Sequence, residues 1–224
     1  MVPAAFIRVL TMTMLITVGG PTVGHSSRPS TDAALKRLKD GHARFLADLP
    51  APRDLSMKQR GKLAMEQRPF AVVLTCADSR VSPELIFDQG LGDLFVLRIA
   101  GNVSDPGVVG SIEYAVEHLH CPLVVVLGHE NCGAVKAAMH LDDVHGSLAA
   151  LIEQVRLGKD LPKEPSTALQ QAVENNAVHH AGELPYKSSV IKDAAAAGHV
   201  RIVPGVYSLS SGNVTWLEAP KSSR

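Results

Sequence analysis

Two apolar runs, each ending on side chains that bind soft metals, constrain this chain more than anything else in it. The first, Val72-Val73-Leu74-Thr75, leads into Cys76-Ala77-Asp78-Ser79-Arg80. The second, Leu123-Val124-Val125-Val126-Leu127, leads into Gly128-His129-Glu130-Asn131-Cys132-Gly133. Short β-branched runs bounded by polar and glycine residues read as buried strands. In open α/β sheets, chemistry collects at the carboxyl ends of such strands. Two of them together can bring Cys76, His129 and Cys132 to one place. That is the donor set of a zinc site with one position left open, the feature that separates catalytic from structural zinc. Asp78 and Arg80 add an acid and a base at alternate positions after Cys76.

Each of these residues has an ordinary reading when taken alone. A lone buried cysteine is usually a small core residue, and a lone histidine after a strand is usually just hydrogen-bonded. The joint pattern is what points to a metal. A cysteine redox pair competes with it, but such pairs normally sit in one Cys-x-x-Cys motif. A closed structural zinc site has no use for Asp78 and Arg80.

The rest of the chain alternates helix and strand patterns. Ser30 or Thr31 caps a helix through about residue 47, with Leu35, Leu38, His42, Phe45 and Leu46 on one stripe. This stripe is a candidate for packing on a neighbouring subunit; otherwise it covers its own sheet. Short helices are expected over 55–65 and 83–88, and a strand over 94–97. Asp105-Pro106 starts a helix with a capping acid and proline at its first position. Further helices are expected over 131–140, from Ser147, over 166–180 and over 188–197, with loops over 141–146 and 158–165. A last parallel strand is expected over 200–203. A hairpin over 206–217 turns at Ser210-Ser211-Gly212-Asn213. The fold class is α/β, with a mainly parallel central β-sheet covered by helices.

Composition narrows the function classes. The 224 residues, 46% of them apolar, suit one globular domain with a sizeable core. Lys plus Arg and Asp plus Glu are 22 each, with no basic run, so nucleic acid is a poor partner. The three cysteines are too few for a disulfide framework. No apolar run reads as a membrane span in the mature chain. Residues 1–27 stand apart. Arg8 precedes an apolar run from Val9 to Val18, followed by Gly19-Gly20-Pro21, the pattern of a secretory signal peptide. A disordered extension or a mis-assigned start is the other reading, so the chain divides into 1–27 and a domain over 28–224. The expected location is periplasmic or secreted after cleavage, with the cytoplasm as the alternative. Cys121, lacking a thiol partner, is expected to be buried and inert.

With these motifs laid out, the chain resembles the β-class carbonic anhydrases over about residues 31–217. The resemblance is carried by Cys76-Ala77-Asp78-Ser79-Arg80, Arg98-Ile99-Ala100-Gly101-Asn102, Ile112-Glu113-Tyr114-Ala115 and the segment from Gly128 to Gly133. It implies reversible hydration of carbon dioxide to bicarbonate and a proton, with zinc (Zn2+) on Cys76, His129 and Cys132. Asp78 and Arg80 would be the catalytic partners. In the family's inactive arrangement, Asp78 itself becomes the fourth zinc ligand. Gln67 would donate a hydrogen bond to substrate, and Phe95 and Tyr114 would wall an apolar pocket with Gly133. Gln67-type and aromatic residues reach the site across a dimer interface in the family, which implies a homodimer or tetramer. Two thiolates cancel the metal's charge, so bound water should ionise above the value of about 7 found with three histidines. Some members bind bicarbonate beside the site through a tryptophan on the first strand; here that position is Val73. Enzymes of the same fold that hydrolyse carbonyl sulfide or carbon disulfide would carry the same ligands. A zinc or thiol protein without activity is the reading from another class.

Overall fold

The computed structural model describes residues 28–140 and 144–218; the signal-like segment 1–27 and part of the expected loop 141–146 lie outside them. Helix α1 (Thr31–Leu46) and short α2 (Met57–Leu63) precede β1 (Ala71–Thr75), α3 (Pro83–Ile86) and β2 (Leu94–Arg98). Helix α4 (Pro106–Glu117) leads to β3 (Leu123–His129), then to α5 (Gly133–Ala138) and α6 (Ser147–Ile152). Helices α7 (Pro165–Lys187) and α8 (Ser189–Ala196) precede β4 (Arg201–Tyr207) and β5 (Val214–Trp216). The sheet order is β2-β1-β3-β4-β5, parallel except for the β4–β5 hairpin. This is the expected α/β architecture.

Strands β1 and β3 are buried along their whole length because helices cover both faces of the sheet. Side chains alternate across the pleat. Val72, Leu74, Val124 and Val126 pack with Val109, Ile112, Leu184 and Ile191 of α4, α7 and α8. Val73, Val125 and Leu127 face the other way, against Ala34, Leu35 and Leu38 of α1. Leu35, Leu38 and His42 of the α1 stripe therefore lie against their own sheet, while Leu46 at its end is exposed. The cap at its start forms as expected, Ser30 accepting from the Ala33 N–H.

Two elements run longer than the sequence suggests. Helix α7 was expected to stop at His180, ahead of Gly182 and Pro185, yet it continues to Lys187 with Pro185 inside it. So near the end, a proline deletes one backbone bond, and burial of Ala181 and Leu184 offsets that loss. Its start is also earlier, because the Glu164 carboxylate accepts from the Ser166 and Thr167 N–H groups with Pro165 at the first helical position. Strand β4 runs unbroken through Pro204-Gly205, where two separate strands were expected. The Pro204 carbonyl accepts from the Leu217 N–H, so the proline's missing donor also faces that side. There β5 has already ended, its last pair being Trp216 with Gly205. The one bond forgone, back to Leu217, lies at the outer end of this edge hairpin.

Candidate metal centre

Strands β1 and β3 are adjacent and in parallel register, with Thr75 opposite Leu127. The Thr75 hydroxyl donates to the Leu127 carbonyl at 2.9 Å, tying the two carboxyl ends together. Cys76 follows β1 directly, His129 is the last residue of β3, and Cys132 caps α5. One ligand atom from each lies within 4.8 Å of the others, and all three residues are buried. The two sulfurs are 3.9 Å apart. Two thiolates on one tetrahedral zinc, with Zn–S bonds of roughly 2.3 Å, would be about 3.8 Å apart.

His129 supplies the sharper test of fit. Its Nδ1 is 2.9 Å from the Glu130 carbonyl, which can only accept, so Nδ1 carries the proton. Nε2 then presents a lone pair, and it is buried with no hydrogen-bond partner. A buried bare nitrogen is costly; a cation shared with two thiolates removes that cost. Backbone amides prepare the sulfurs as well. The backbone at Gly101 and Asp78 favours the Cys76 thiolate, and that at Ala134 and Val135, at the start of α5, favours the Cys132 thiolate. The Cys132 thiol donates to Cys76 and so lowers the Cys76 pKa. The Cys76 thiolate and burial in turn raise that of Cys132. A metal would take both as thiolates.

Asp78 and Arg80 sit at the rim. Arg80 Nε donates to Asp78 Oδ1 at 2.9 Å and Nη2 to Oδ2 at 2.7 Å, a two-pronged pair. The Arg80 N–H adds a third bond to Oδ1. These contacts hold the Asp78 carboxyl well below the usual carboxylate range. Asp78 Oδ2 also lies 3.9 Å from His129 Nε2, on the flank of the ligand cluster and outside it. Arg98, at the end of β2, donates to the Asp78 carbonyl at 2.6 Å. In the sequence Arg98 stands in a motif without a task, and nothing local reveals that its side chain spans two strand ends.

The other site candidates divide. Gly133 opens α5 beside Cys132, exposed, with nothing within 4 Å of where a Cβ would sit. Phe95 and Tyr114 pair with ring centroids 6.3 Å apart, but Phe95 is in register with Val72, three rungs short of Thr75. At about 3.3 Å per residue, that is roughly 10 Å below the strand end. Gln67 is exposed on the segment leading into β1. So Cys76, Asp78, Arg80, His129, Cys132 and Gly133 converge within one chain, while Gln67, Phe95 and Tyr114 stand elsewhere. Cys121 is 1% exposed, its thiol pushed up to about 12 by burial.

Comparison with known proteins agrees with this geometry. A family model described as carbonic anhydrase matches residues 71–214. The carbonic anhydrase of Mycolicibacterium smegmatis is 44% identical over 187 residues, 81% of this chain and 91% of that protein. The solved β-carbonic anhydrase CafA of Aspergillus fumigatus matches with a TM-score of 0.66 at 27% identity, covering 85% of this chain and 91% of its own. A structure described as one of two tetrameric β-carbonic anhydrases from Sordaria macrospora shares the fold, with a TM-score of 0.65 at 24% identity over 70% of this chain and 85% of that one. The chain belongs to the carbonic anhydrase family, in its β-class, and is by that membership a carbonate dehydratase.

Proposed function

We propose that this chain hydrates carbon dioxide reversibly to bicarbonate and a proton, using zinc held by Cys76, His129 and Cys132. The observation that carries this reading is the buried, unpartnered His129 Nε2 in a cluster with two thiols. Zinc bound there supplies a nucleophile by acidifying a water molecule. Asp78, kept ionised by Arg80, can only accept hydrogen bonds. Its Oδ2 would therefore accept from a hydroxyl donor held at a position beside the cluster, on the His129 flank. The Arg80 fork engages both carboxylate oxygens, which holds Asp78 back from that position. Arg98 pins the Asp78 backbone, so the carboxylate does not drift. Metal analysis should give one zinc per chain, and stopped-flow mixing with carbon dioxide should show hydration. Turnover of carbonyl sulfide without hydration of carbon dioxide would overturn the assignment.

The working unit in this proposal is a homodimer or a tetramer. Gln67, Phe95 and Tyr114 would complete the site of a second copy. The support is their position in the single chain: Gln67 is exposed, Tyr114 is 45% exposed, and Phe95 lies on edge strand β2. The tetrameric fungal proteins of the same fold make such assembly reasonable. Export through residues 1–27 is part of the same proposal, supported by the apolar run after Arg8. No helix among the described residues is long and apolar enough to cross a membrane. Expressing the full chain in a bacterium and sequencing the N-terminus of the periplasmic fraction tests export; an uncleaved cytosolic product would refute it.

A further inference from the structure

The loop from His129 to Cys132 is bound to a distant part of the chain. The Glu130 carboxylate reaches across to the β4–β5 turn, where Oε2 accepts from the Ser208 hydroxyl at 2.8 Å. The same oxygen accepts from the Ser210 hydroxyl at 2.9 Å and the Ser210 N–H at 3.1 Å. The Glu130 N–H donates to the Tyr207 carbonyl at 2.8 Å. Glu130 is thus fastened at both its backbone and its side chain to the start of the hairpin turn. Its remaining backbone group, the carbonyl, is the one that receives His129 Nδ1–H. The next residue, Asn131, has φ of 53°, a left-handed conformation that asparagine adopts more readily than most residues and that turns the chain toward Cys132.

We propose that Glu130 is a positioning residue for the metal-binding imidazole. Clipped to Ser208 and Ser210, it holds its own carbonyl where that oxygen fixes the tautomer and the ring plane of His129. Partners of this kind tune metal affinity although they never touch the metal. Without the clip, the peptide after Glu130 is free to rotate, and the carbonyl moves away from Nδ1. The proposal rests on the zinc reading above.

The test measures zinc transfer from the zinc-loaded full chain to a chromogenic chelator, with the thermal midpoint of each protein recorded alongside. Glu130→Ala and the double variant Ser208→Ala/Ser210→Ala are each expected to weaken zinc binding about 10- to 100-fold. Glu130→Gln keeps an acceptor oxygen at the same reach and is expected to restore most of the affinity. Asn213→Ala removes bonds only to Ser211 in the same turn, so it should leave zinc affinity unchanged. Parent-like affinity in both disrupted variants overturns the clip and leaves the metal site standing. An equal loss in Asn213→Ala also overturns it, since the turn would then act through general stability. Failure of the parent to bind zinc overturns the metal reading, and the clip falls with it. If Glu130→Ala does not fold, the serine pair, Ser208 half-buried and Ser210 exposed, carries the test.

Discussion

Arg80 and Arg98 divide one task at Asp78: the first takes the carboxylate, the second the carbonyl behind it. Arg80→Ala should therefore cost about 100-fold in kcat/KM, and Arg80→Lys, which keeps the charge and loses the fork, should recover only part of it. Steady-state hydration assays check both. Cys76→Ser should lose zinc and activity together; full zinc occupancy in that variant would refute the ligand assignment. A third residue-scale prediction lies away from the site. His180 is 1% exposed, and its Nδ1 accepts from the Ser104 N–H at 3.2 Å. Burial lowers its pKa from 6.5 to about 4, while Glu183 pulls the other way and His179 and Lys187 reinforce the drop. The unfolded chain thus takes up the proton first as pH falls. The stabilisation is fully present above pH 6.5 and is lost as pH falls toward 4, by about 3 kcal/mol. Urea melts at pH 7 and pH 4.5 should show this loss in the parent and a smaller one in His180→Asn.

At the scale of elements, α7 carries the longest reach. Its Leu184 and Ala181 close the core over β1 and β3. Its Asn176 side chain donates to the Gly101 carbonyl at 2.7 Å, supporting the turn whose backbone favours the Cys76 thiolate. Leu184→Ala should destabilise the fold by about 2–5 kcal/mol, read from denaturant midpoints at constant slope. The local pattern ends this helix early because Gly182 and Pro185 are the usual stop signals. Burial overrode them, and burial is not visible in the local pattern. The caps were legible: Ser30 on α1 and Asp105 on α4 accept from N–H groups three residues on, a contact that needs no distant partner.

At the scale of the whole molecule, a site shared between chains predicts complementation. A mixture of Cys76→Ser and Gln67→Ala chains, each inactive or weak alone, should regain activity after co-refolding. Each mixed pair then holds one site with both its ligands and its glutamine. No recovery, with mixed pairs demonstrated by mass, would place the whole site within one chain. What the amino-acid order determined alone was the set of features decided over a few neighbouring positions. These are the two apolar runs, the ligands placed at their ends, the helix caps, and the α/β alternation that follows. Such features depend on period and local hydrogen bonding, which a sequence displays directly. Only the tertiary structure decided that β4 passes through Pro204, that Leu35 and Leu38 of the α1 stripe face inward, and that Arg98 meets the Asp78 carbonyl 20 residues back. It alone showed Glu130 clipped to a serine 80 residues away and His129 left with a bare Nε2. These outcomes turn on the register and packing of segments remote in the chain, which no local pattern contains.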